Sequence, residues 1–226
     1  MATDTPVQPH VATPAGVRFV LLTIGLLIVL DVISAVFSLG WPAITAIVAL
    51  VLVLDGIYIR RTGDRAFANW LLFGVVAGFG ELVADAWTVG TGTLVYPPDE
   101  PMIWNSPAYM PFAWAIVLAQ IGYLSGWLRQ RYPLAVATLA TAVLAGVNIP
   151  LYEHLAKDAN WWFYQDVPML FSAPYYIILA EFLLAIPLAL WAYRIARGSK
   201  LDCVLFGLAE GVVIFLAAML SFRLVG

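Results

Sequence analysis

Seven apolar runs, each close to the length of a bilayer crossing, leave this chain few ways to fold. A helix needs about 20 residues to cross the hydrocarbon core, and inside lipid its backbone polar groups must be satisfied within the segment. The runs fall at 18–39, 41–59, 68–90, 109–128, 133–152, 172–193 and 201–223. The fold class they predict is all-α, a polytopic membrane bundle of seven transmembrane helices, with 17–226 as a single transmembrane domain. Composition agrees, since only 11% of the residues are charged, against about a quarter in soluble domains. The first run is longer than the apolar core of a signal peptide and carries Asp31, so it reads as a retained span. Residues 1–16 are polar with three prolines and read as a disordered N-terminal tail.

Positive charge orients the spans. Arg18, Arg60, Arg61, Arg65, Arg129, Arg131, Arg194, Arg197 and Lys200 all fall on one side of a seven-span arrangement. Only Lys157 and Arg223 fall on the other. The positive-inside rule then predicts a cytoplasmic N-terminus and an outer C-terminus, as in a multi-pass protein of a prokaryotic plasma membrane. The lipid bilayer is the expected partner, and the basic inner loops are not a nucleic-acid signal. The single cysteine, Cys203, cannot form an internal disulfide, and two histidines are too few for a bis-histidine haem or a histidine-rich metal centre. No Walker loop, nucleophile elbow, HExxH or CxxC is present, and the last span has no interior lysine for a retinal Schiff base. No cofactor and no metal are expected.

One segment occurs twice. DEPMIWNSPAY, Asp99 to Tyr109, aligns without a gap with DVPMLFSAPYY, Asp166 to Tyr176, 67 residues later. The shared pattern is D-x-P-M-[IL]-[WF]-x-x-P-x-Y. The period covers two spans, so both copies lie on the same outer side, and helices 3–4 and 5–6 form a parallel internal repeat. Two readings stand side by side. The segments are an aromatic belt with helix-starting prolines, or a pair of loops folding inward over one cavity. Asp99 and Glu100 read as solvated or capping groups.

Six carboxyls lie in the interior of the runs: Asp31, Asp55, Glu81, Asp85, Glu181 and Glu210. Each costs about 2.5–3.5 kcal/mol at a helix centre on insertion scales, and no lysine or arginine lies at matching depth. Asp55 is within reach of Arg60 and can snorkel or pair. Each of the others can be a protonated carboxyl making an interhelical hydrogen bond, or a functional acid. Glu81 and Asp85, in GELVADAW, are four apart and share one helical face. Glycines 74, 78 and 80 on the same helix permit close approach of a neighbour. At the repeat offset Glu81 corresponds to Asn148, and Asp85 to Tyr152, next to Glu153. A desolvated carboxyl without a cationic partner favours its neutral form, and a neutral carboxyl is a proton donor. Nearby aromatic faces can stabilise a cation.

GELVADAW, the two aromatic-proline segments, the size and the span count together resemble the small integral membrane terpene cyclases of meroterpenoid pathways, and the wider group of membrane carotenoid cyclases and hydratases. The PxE-type signatures of the carotenoid cyclases are absent. The resemblance implies a cofactor-independent isomerase acting on a prenylated or isoprenoid lipid. Glu81 would be the acid, Asp85 would tune or orient it, and Glu181 or Glu210 would serve as a second acid or terminating base. Asp31, Trp87, Trp104 and Tyr109 are candidate substrate contacts. So are Trp114, Trp162, Tyr175 and Tyr176. A small proton-coupled transporter is the alternative, because intramembrane acids and repeats also mark carriers. A non-catalytic lipid-binding subunit is a third.

Overall fold

The structure, a computed structural model, describes residues 11–226. It is a bundle of helices, seven of which are long and apolar enough to cross a membrane. They are α1 (Pro14–Phe37), α2 (Trp41–Thr62), α3 (Arg65–Gly90), α4 (Met110–Arg129), α5 (Leu134–Asp158), the bent sixth made of α6 (Tyr175–Leu184) and α7 (Ile186–Arg197), and α8 (Lys200–Val225). The shortest of the seven has 20 residues and the longest 26, or about 30–39 Å at the helical rise.

The expected tail falls largely on residues 1–10, outside the described residues. Residues 11–16, expected in it, are ordered into the bundle. Val11 and Ala12 are buried, Thr13 accepts a hydrogen bond from the Gly16 N–H, and Pro14 starts α1. A side-chain oxygen on an N-cap and a proline in the first turn both favour initiation there. The fifth helix runs past the expected 152 to Asp158. The sixth is interrupted at Ala185, two residues before Pro187. Pro187 has no N–H to offer Leu183, and Ala185 donates to the Glu181 and Leu183 carbonyls instead.

Close backbone contact organises the interior around α3. A Cβ at Gly78 would run into the Pro111 carbonyl of α4, and one at Gly74 would lie 2.5 Å from the Ala115 carbonyl oxygen. On another side, Gly80 of α3 and Gly211 of α8 leave each other only the room of a hydrogen, with a Cβ on either meeting the other's Cα at 2.9 Å. Small residues at such seams let van der Waals contact replace the hydrophobic driving force that lipid does not supply. At the arginine-rich end, Asp64 accepts hydrogen bonds from Tyr123 OH (2.6 Å), Tyr58 OH (2.9 Å) and the Phe67 N–H (3.0 Å). Asn69 on α3 donates to the Ile195 carbonyl at 2.9 Å and so holds the end of α7.

At the other end, the two long loops contain short antiparallel pairs that an all-α reading does not anticipate. β2 (Met102–Ile103) pairs with β3 (Ser106–Pro107), and β5 (Met169–Leu170) pairs with β6 (Ala173–Pro174). The registers match at the offset of 67, Met102 opposite Pro107 and Met169 opposite Pro174. The Ala108 N–H bonds to the Pro101 carbonyl, and the Tyr175 N–H bonds to the Pro168 carbonyl. Trp104 and Phe171 hold the tips at φ 57° and 56°, a left-handed backbone that costs a non-glycine residue about 1–3 kcal/mol. A third pair, β1 (Leu94–Val95) with β4 (Phe163–Tyr164), ties one loop to the other.

The α3 seam is directly testable. Gly78→Ala should destabilise the protein by about 1–3 kcal/mol through overpacking. Gly25→Ala, whose added methyl meets nothing within 4 Å, should leave the melting temperature unchanged or slightly raised. Thermal unfolding in detergent compares the two.

Candidate functional site

The seams that fix α3 against α4 and α8 leave Glu81 and Asp85 facing a cavity of about 610 Å³. Asp31 on α1, Glu153 on α5 and Glu181 on α6 border the same space. Asp31, Glu81, Asp85 and Glu153 are buried. Their charges are close enough to interact: Glu81 with Asp85 and Glu181, Glu153 with Asp85, and Glu181 with Glu153. Among the described residues, no lysine, arginine or histidine borders the cavity. The remaining wall is chiefly apolar, with Gln120, Asn148 and Thr141 among its polar members. A volume of this size suits a small-molecule ligand.

Two of the acids are held from the loops above. Tyr96, in the loop after α3, donates to Asp85 Oδ2 at 2.7 Å. Trp162, in the loop after α5, donates through Nε1 to Glu153 Oε2 at 2.6 Å. The two arrangements correspond: an acid near the end of an outgoing helix is gripped by an aromatic donor from the loop that follows. β1 and β4 join those loops within two residues of the two donors. Burial and neighbouring carboxyls push the Tyr96 and Tyr164 phenols well above their usual value, so both stay protonated as donors. Glu81 differs from its neighbours. The Trp114 indole lies beside it, yet its Oε2 is buried without a hydrogen-bond partner.

The sequence-predicted site residues are divided by the structure. Asp31, Glu81, Asp85, Glu181, Trp114 and Trp162 border the cavity. Glu210 does not. It is fully buried on α8 with neither oxygen hydrogen-bonded, and it feels the cavity through the charge of Glu181. Trp87 packs edge-on against Phe222 and Phe215 of α8, with ring centroids 5.4 and 6.3 Å away. Tyr176 is buried behind the wall, its hydroxyl 3.0 Å from Thr93 Oγ1. Tyr109 is buried beside Glu100. Trp104, 68% exposed, and Tyr175, 45% exposed, are not on the cavity wall. Asp55, expected to snorkel or pair with Arg60, is fully buried with both oxygens unpartnered. Glu100, expected to be a solvated or capping group, is buried beside Tyr109 with neither oxygen in hydrogen-bonding geometry.

Three wall residues were not singled out from sequence as site residues: Glu153, Tyr96 and Tyr164. A partial signal existed for Glu153, which follows the repeat counterpart of Asp85. Tyr96 and Tyr164 sit in loops whose inward fold no periodicity reports.

A family described as a domain of unknown function, DUF6989, matches residues 82–225. The chain belongs to the DUF6989 family. The matched region starts one residue after Glu81, so it holds Asp85, Glu153 and Glu181 but neither Asp31 nor Glu81. Comparison with curated proteins and with solved structures returned no match. Among the described residues of this DUF6989 protein, no group of three or more His, Cys, Asp or Glu side chains is arranged to hold a metal ion.

Glu100 gives the loop a pH dependence. Burial raises its pKa from 4.5 to about 7, with Tyr109 opposing and the charge of Asp85 adding to the rise. The folded protein thus holds this proton more tightly than the unfolded chain. The stabilisation is complete below pH 4.5 and is lost as pH rises through about 7. Protease nicking of the loop at 96–109 should therefore be faster at pH 8 than at pH 5. Glu100→Gln should shrink that difference.

Proposed function

We propose that this protein is a cofactor-independent membrane isomerase, a terpene-cyclase-like enzyme that acts on a prenylated or isoprenoid lipid. The observation that carries the reading is the gathering of five carboxyls, without one basic side chain among the described residues, on the wall of a largely apolar cavity. The positive-inside pattern supports a cytoplasmic N-terminus with both hairpins outside, and a multi-pass protein of a prokaryotic plasma membrane is the proposed setting. The matched hairpin registers and the paired acid–aromatic contacts support a parallel duplication of helices 3–4 and 5–6.

Glu81 is the proposed acid, because it borders the cavity with its buried Oε2 unbonded, while Asp85 and Glu153 each engage an oxygen with a loop donor. Its O–H bond breaks as a C–H bond forms at one alkene carbon, or as an epoxide oxygen takes the proton and its C–O bond opens. The electron-deficient carbon is then attacked by a second π bond of the same chain, closing a ring. A carboxylate takes the final proton, and Glu181 and Glu153, which border the cavity, are the proposed acceptors. No electrons are gained or lost overall. The faces of Trp114, Trp162, Tyr152 and Tyr164 offer cation–π stabilisation of the intermediate. Asp85 orients the site through Tyr96 and its charge on Glu81.

One observation favours a second reading, a proton-coupled carrier. The sixth span breaks at Ala185, one helical turn beyond Glu181, and interrupted helices beside buried acids are a carrier feature.

Prenylated phenols and their terminal epoxides, incubated with purified protein and followed by mass spectrometry and NMR, separate the two. The enzyme reading expects a cyclic isomer of unchanged mass. Glu81→Gln should slow its formation by about 100-fold or more, the scale of general acid catalysis. Solute carried unchanged into proteoliposomes, with no isomer formed, favours the carrier. Full turnover by Glu81→Gln would sink the acid mechanism.

A further inference from the structure

The acids occupy only one part of the cavity. Beyond them the space continues as an apolar slot between α1, α4 and α5, bordered by Leu27, Ile28, Ile121, Leu124, Val143 and Val147. Its wall on α4 extends from Met110 to Leu128, about 27 Å of helical rise. Several wall residues are also exposed on the perimeter of the bundle: Val147 at 72%, Leu144 at 57% and Ile28 at 41%. The slot therefore opens sideways between α1 and α5. At the hairpin end those helices are tied, Ser38 Oγ donating to the Asp158 carbonyl at 2.9 Å and the Gly40 N–H donating to that of Ala159 at 2.9 Å.

Charge restricts what can lie there. Phosphate recognition uses arginine forks, lysines or helix N-termini. Among the described residues, the cavity wall offers no basic side chain. A phosphate or diphosphate would instead sit beside five carboxyls, with like charge and no compensating partner. An uncharged oxygen has a partner waiting, since the buried Glu81 Oε2 is unbonded and a protonated carboxyl can donate to it. The apolar slot fits a chain that the bilayer itself supplies.

Resting on the reading of the cavity as a substrate site, we propose that its occupant is a long-chain lipid with an uncharged oxygen-bearing end, taken in sideways from the bilayer between α1 and α5. The oxygen-bearing end lies against Glu81 beneath the hairpins, and the chain follows the slot along α4. Chains headed by phosphate or diphosphate are excluded. The reaction that supplies this substrate therefore has to remove or cap any diphosphate before the lipid arrives, by prenyl transfer, hydrolysis or oxidation.

The test uses the full chain in phosphatidylcholine nanodiscs, with hexadecanol and hexadecyl phosphate as probes of one tail and two heads. Hexadecanol should raise the melting temperature in a saturable way, and hexadecyl phosphate should not. Val147→Trp, which fills the side opening, should demand a hexadecanol concentration at least about tenfold higher for the same shift. Leu216→Trp, at a 48% exposed site on α8 away from the slot, should behave as wild type. Each shift is read against the variant's own ligand-free melting temperature, and Leu144→Trp serves if Val147→Trp does not fold. Equal or stronger stabilisation by hexadecyl phosphate overturns the proposal. So does an absence of stabilisation by hexadecanol, or an equal loss in both kinds of tryptophan variant. The acid mechanism is judged separately. Phosphate binding with Glu81→Gln still inactive removes this inference alone, and hexadecanol binding with Glu81→Gln fully active removes the mechanism alone.

Discussion

Where α3 meets Pro111 of α4 and Gly211 of α8, there is room for hydrogen and for nothing larger. Those contacts set both the distance and the rotation of α3. Gly74, Gly78, Glu81 and Asp85 recur at helical spacing on one face of α3, so the seam with α4 leads directly to the two acids, which border the space shared with α1, α4, α5 and α6. The cavity, its acids and its loops all follow from that placement. In lipid this is the expected way to hold a bundle, because apolar side chains gain little by leaving hydrocarbon for a protein interior, whereas close backbones gain dispersion contacts.

The same rigidity makes an unusual electrostatic arrangement tolerable. Five carboxyls border one space without a basic partner, and Glu210 and Asp55 are buried elsewhere with unpartnered oxygens. A bundle selected only for stability would replace such groups, since each buried polar group without a partner carries its full desolvation cost. Some of that cost is offset locally, at Asp85 by Tyr96 and at Glu153 by Trp162. Glu81 Oε2 is left over. Uncompensated polarity concentrated in a cavity is what a functional site requires and what a core avoids.

The loops join these two themes. Each hairpin holds an aromatic residue at positive φ at its tip, at a cost the local sequence does not repay. The return comes from lower in each loop, where Tyr96 and Trp162 reach the acids and β1 pairs with β4 across the gap. The proline–aromatic segments first noticed in the sequence are thus the outer frame of the site. Trp104 and Tyr175 of these segments are not on the cavity wall, and the residues that contact the acids, Tyr96 and Trp162, lie earlier in each loop.

Much of this was legible without coordinates. Run length and the backbone's need for hydrogen bonds in lipid determined seven helices. The spacing of four determined that Glu81 and Asp85 share a face, and the missing cations determined that intramembrane acids go unpaired by charge. The offset of 67 pointed to two loops of one kind. Tertiary structure alone decided which acids meet. Asp31, Glu81, Asp85, Glu153 and Glu181 border the cavity while Glu210 is shut behind it, because helix rotation is set by contacts between helices distant in sequence. It also decided the roles of Glu100, Tyr96 and Tyr164, since a loop's direction depends on what it packs against and leaves no period in the chain. A sequence records which residues must leave water; which of them face one another is settled only when the glycine seams close.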